Sequence, residues 1–121
     1  MVKRIVGASD QDLEQLTALF RLLSDKTRLN ILLLLAEGER NVTSLCGQLQ
    51  LPQPTVSHHL GLLRMNNVIA NRRNGKQVFY SLNGRVEVGI GGEQTLSIGV
   101  ENFVVKIGAV AAPVAVALAA H

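Results

Sequence analysis

Tryptophan is absent from these 121 residues, and aromatic side chains make up only 3% of them, one Tyr and three Phe. A core without large rings must be built from Leu, Ile, Val and Ala, which favours helices packed through aliphatic stripes. The single cysteine, Cys46, excludes an internal disulfide, and the first residues lack the charged-then-apolar run of a secretion signal. A reducing cytoplasm is the expected compartment. The length excludes a large multi-domain enzyme and leaves room for one small domain. No paired carboxylates, no nucleophile beside a base and no phosphate-cradling glycine loop stand at useful spacing, so no enzyme is expected.

Acid is also missing where it would matter most. From Arg64 to Arg85 there are five cations and no Asp or Glu, and no Asp follows Asp25. Residues 1–85 carry eleven Lys/Arg against six acids, while residues 86–121 carry one Lys and three Glu. The basic excess therefore lies in the first two thirds of the chain. It suits phosphates, although a plain solvated basic face would leave the same trace.

What is present reads as a series of short helices. Ser9-Asp10-Gln11-Asp12 opens the first with capping side chains, and Leu13, Leu16, Phe20 and Leu23 predict its buried stripe. Ser24-Asp25 caps a second helix through Arg28, Ile31, Leu32 and Leu35, which stops near Glu37-Gly38. A third follows Asn41-Val42-Thr43 with Leu45, Cys46 and Leu49 turned inward, and Gln50-Leu51-Pro52 makes a tight corner. The fourth runs from about Gln53-Pro54 to Asn66. Val56, Leu60 and Leu63 form its core face, and Gln53, Thr55, Ser57, His58, Gly61 and Arg64 look outward. Two extended runs, Val68 to Arg73 and Gln77 to Leu82, flank Asn74-Gly75, a strong hairpin signal when both central residues take positive φ. Arg72, Arg73 and Lys76 crowd that hairpin, and Val78, Tyr80 and Leu82 share one strand face.

Helix, tight corner, helix with a polar outer face and cationic hairpin together make a winged helix-turn-helix: mainly α with a small β-hairpin. The major groove admits one helix, whose early side chains reach base edges. Gln53, Thr55, Ser57 and His58 are the candidate base readers. Arg64, Arg72, Arg73 and Lys76 are the candidate backbone or wing contacts. A wing that bound protein instead would be neutral or acidic.

The stretch Leu51-Pro52-Gln53-Pro54-Thr55-Val56-Ser57-His58-His59-Leu60-Gly61-Leu62-Leu63-Arg64 resembles the recognition helix of ArsR-type winged-helix regulators. Leu23-Ser24-Asp25-Lys26-Thr27-Arg28-Leu29-Asn30-Ile31-Leu32 is similar to that family's second-helix entry, and Arg72 to Leu82 matches its wing in style. The resemblance covers roughly residues 16–83. It implies a homodimeric, usually repressing regulator that binds double-stranded operator DNA and is released by an effector, often a metal ion.

Here the chain departs from the pattern. The family's C-x-C-x-x-C thiolate positions are held by Asn41, Thr43 and Cys46, and Cys46 alone cannot form that site. The family's Asp and His pairs on a C-terminal helix have no counterpart beyond His121, and the adjacent His58 and His59 diverge by about 100° on a helix. No metal or cofactor is expected. His59 reads as a packing or dimer-side group. Cys46 is either a small core residue or a redox thiol.

The chain divides into an N-terminal arm (1–8), the winged domain (9–85) and an apolar extension (86–121). In the extension Val86, Val88, Ile90 and then Leu96, Ile98, Val100 alternate as strands do around Gly91-Gly92. From Phe103 to Ala120 the nearly apolar run is broken by Lys106, Gly108 and Pro113. It predicts a helix closing a dimer, kinked near Pro113, in preference to a membrane span.

Overall fold

The computed structural model describes residues 7–89 and 95–108. Its helices begin where short polar side chains serve otherwise unpaired amides. α1 (Asp10–Leu23) opens on a capping box in which the Asp12 amide donates to Ser9 Oγ at 3.1 Å and the Ser9 amide donates to Asp12 Oδ2 at 3.0 Å. α2 (Lys26–Glu37) starts on Asp25, whose carboxylate accepts from the Arg28 amide at 3.0 Å, and ends on Gly38 at φ 152°. α3 (Val42–Leu49) starts on Asn41, which accepts from the Ser44 amide at 2.8 Å. Gln50 then takes a left-handed conformation, φ 54°, and turns the chain into α4 (Gln53–Met65). Pro54 lies in the first turn of α4, where its missing N–H costs no helical bond.

The stripe expected on α1 is corrected. Leu19, Leu22 and Asp12 are the buried residues, whereas Leu13 is 46% and Phe20 55% exposed, with Leu16 and Leu23 half-buried. The helix carries two candidate apolar stripes, and periodicity alone cannot choose between them. Docking chooses: Leu19 and Leu22 join the buried cluster where α1 packs against α2 and the strand Thr95–Val100, which fixes that face inward.

β1 (Arg40–Asn41), β2 (Ile69–Asn74) and β3 (Gln77–Leu82) form an antiparallel sheet in the order β1-β3-β2. The hairpin stands where expected, with its turn shifted by one residue. Asn74 pairs with Gln77, so the central residues are Gly75 and Lys76, and of these only Gly75, φ 65°, has a positive angle. Glycine at the first central position suits a type II′ turn, and the shift puts Lys76 at the tip itself. Tyr80 and Leu82 pack against the core, as their shared strand face predicts.

A second antiparallel sheet follows, its first two strands paired as the alternation on either side of residues 91–92 predicts and its third strand unexpected: β4 (Val86–Val88), β5 (Thr95–Val100) and β6 (Phe103–Gly108), in that order. Alternation in β5 buries Leu96, Ile98 and Val100. The helix expected from Phe103 is corrected in its first six residues, which are strand. Val105 and Ile107 alternate with exposed Val104 and Lys106 and pack against the core, so a half-buried surface of period two wins there. The rest of that predicted helix, the Gly91-Gly92 turn and most of the N-terminal arm lie outside the described residues. Among the described residues, no helix is long and apolar enough to cross a membrane.

Ile31, Leu32, Leu45, Leu60, Leu63, Ile69 and Ile98 are fully buried in one continuous cluster that joins helices and both sheets. The absence of tryptophan is met by interdigitating aliphatic side chains, each contributing about 1.5–3 kcal/mol on burial.

Candidate nucleic-acid interface

α4 is seated by Val56, Leu60 and Leu63, all buried, which fixes which arc of the helix meets solvent. Gln53, Ser57, Gly61 and Arg64 recur at steps of four, four and three and so form one exposed ridge, with His58 about 100° further round. Thr55 sits on the other flank and is half-buried, as is His59. Met65, 78% exposed, closes the outer arc, nine positions from Val56 and so on the side of the helix away from the core.

The half-buried flank explains how the helix is held. The Arg28 Nε–H donates to the Leu22 carbonyl at 2.8 Å, and Nη1 lies 3.5 Å from His59 Nδ1 and 3.8 Å from Asp25 Oδ2. His59 Nδ1 is also 4.0 Å from Asp25 Oδ1. One guanidinium thus ties the end of α1, the cap of α2 and the side of α4. The Arg28 amide holds the Asp25 carboxyl below its ordinary value of 3.8, and the neighbouring Arg28 charge acts in the same direction. His59 thus packs, half-buried, beside Arg28 and Asp25, and its ring meets that of His58 edge to face at 5.6 Å.

The five cations between Arg64 and Arg85 separate into two sets in space. Arg85 Nη1 donates to the Asn66 carbonyl at 3.1 Å, bracing the exit of α4. Arg72 donates from Nε at 2.8 Å and Nη2 at 2.6 Å to the two oxygens of Glu39, and its guanidinium lies over Phe79 at 4.8 Å. Arg72 hydrogen bonds hold the Glu39 carboxyl below its usual range, and Glu39 raises Arg72 in turn. Arg64, Arg73 and Lys76 are exposed and make no ion pair among the described residues. Glu39 is the member of this cluster that sequence reasoning missed, since 33 positions separate it from Arg72.

Cys46 is half-buried on α3 and packs against the core. Among the described residues, no three or more His, Cys, Asp or Glu side chains gather as metal ligands would.

A family model described as the bacterial regulatory protein, arsR family, matches residues 25–70. The arsenical resistance operon repressor of Escherichia coli (strain K12) is 46% identical over 69 residues, 56% of this chain and 59% of that repressor, so the chain spans less than two thirds of that relative. The crystal structure of the transcriptional repressor BigR from Xylella fastidiosa superposes with a TM-score of 0.57 at 37% identity, covering 62% of this chain and 74% of BigR. The homodimeric winged helix-turn-helix DNA-binding domain Mb0332 from Mycobacterium bovis, described as a possible ArsR-family transcriptional regulator, superposes with a TM-score of 0.57 at 31% identity over 66% of this chain and 77% of its own. With the winged helix-turn-helix already built from its own caps, core and register, the chain belongs to the ArsR family of bacterial regulatory proteins.

Proposed function

We propose that this chain is a sequence-specific DNA-binding transcriptional regulator, a cytoplasmic repressor released by an effector, with α4 in the major groove and the hairpin tip on flanking phosphates. The observation that carries it is the exposed arc holding Gln53, Ser57 and His58 on a helix whose opposite face is locked into the core. Rigid seating matters because base edges are distinguished by hydrogen bonds, which fail when donors are misplaced. Thr55 reads from the half-buried flank, and Arg64 and the wing hold the strands. Cys46 serves the core first, with a redox role as the second reading.

Selection of bound fragments from random genomic DNA tests this. Ser57→Ala and His58→Ala are each expected to relax preference at one or two base pairs, with about 1–3 kcal/mol lost per good base contact. Variants that select the same operator as the wild type would remove this face from the reading role.

The protein acts as a homodimer in this proposal, with the open face of α1 as the seam and residues 86–121 contributing to it. Leu13, Leu16 and Phe20 line one side of α1, and Leu13 and Phe20 are exposed. A two-fold axis there would present two copies of α4 to successive major grooves, about 34 Å apart. Phe20→Glu is expected to halve the mass measured by sedimentation; a wild type that already sediments as one chain removes the seam.

A further inference from the structure

Arg72 and Arg73 are neighbours in sequence, yet the sheet gives them different surroundings. Arg72 pairs with Phe79 on β3, and Phe79 pairs with Asn41 on β1, so these three share a face across the sheet. Glu39, two residues before Asn41, continues the same face. Arg72 therefore reaches across the Phe79 ring and ends on Glu39 with both donors of its fork engaged. Arg73 pairs with Val78 and projects to the opposite face, free of any ion pair among the described residues.

We propose that Glu39 sets how many cations the wing offers to DNA: it holds Arg72 off the phosphates and leaves Arg73 and Lys76 as the wing's electrostatic contacts. The inference rests on the DNA-binding reading above. A carboxylate and a phosphate compete for the same planar pair of N–H donors, so this fork serves one or the other. Capture by phosphate would break two short bonds and leave a bare Glu39 carboxylate beside an anionic strand, which is repulsive. The stacking of the guanidinium on Phe79 adds to the bias toward the bridged state. Glu39→Gln keeps the shape of the acceptor and removes its charge, so a phosphate becomes the best partner within reach.

The test is the salt dependence of binding to a short random-sequence duplex, measured for the wild type, E39Q, R72A and the double variant. E39Q is expected to steepen the slope of log K against log salt by about 0.9 and to bind about fivefold tighter at 0.15 M salt, the amount one added phosphate contact supplies. R72A in the E39Q background removes both charges of the pair and should return the wild-type slope, whereas R72A alone bares the Glu39 carboxylate and should bind more weakly than that double variant. An unchanged slope in E39Q overturns the proposal. So does a double variant whose slope is flatter than the wild type's, which would place Arg72 on phosphate already. If E39Q alone fails to fold, the double variant decides by the same criterion. A wild type that shows no salt-dependent duplex binding overturns the DNA-binding reading together with this one, whereas wild-type binding without an E39Q gain overturns this one only.

Discussion

Alanine at Leu60 is expected to lower the unfolding free energy by about 2–5 kcal/mol, because the lost side chain leaves a cavity that its neighbours only partly fill. Leu60 is 1% exposed and lies between Val56 and Leu63, both fully buried, on the inner face of α4. Small domains hold only about 5–15 kcal/mol in total, so this one change removes a large fraction of it. A urea titration should show the midpoint falling with an unchanged slope. A loss below about 1 kcal/mol, less than this kind of truncation costs in a tight core, would mean that α4 is not seated as described. The substitution also carries a functional expectation. Because the outer ridge is aimed by this inner face, duplex binding by the folded fraction should weaken for every sequence rather than at single base pairs.

Arg73→Ala combined with Lys76→Ala is expected to flatten the salt slope by about 1.8 and to weaken binding at 0.15 M salt on the order of 30-fold, as the loss of two phosphate contacts requires. Both side chains are exposed, Lys76 is a central residue of the hairpin tip, and neither makes an ion pair among the described residues. Sequence preference should survive, since phosphates carry no base identity. Fragment selection would then return the wild-type operator at lower yield. An unchanged slope would take the wing out of the interface. The contrast with Ser57→Ala, where preference should move and the slope should not, separates gripping from reading within one domain.

Much of this site was legible without coordinates because its signals are local. Ser9, Asp25 and Asn41 cap helices through side chains three residues from the amides they serve, and Val56, Leu60 and Leu63 recur within two turns. Gly75 announced a turn, although the pairing of Asn74 with Gln77 decided which residues became its centre.

The amino-acid order by itself determined the four helices, the wing hairpin and the polar ridge of α4, since capping, helical period and turn chemistry act over a few residues. It could not determine which of two stripes α1 buries, that Phe103–Gly108 runs as a strand, or that Glu39 occupies Arg72 and the Asn66 carbonyl occupies Arg85. Each of those outcomes depends on partners distant along the chain, and the energy that selects them exists only once helices and sheets have closed on a common core.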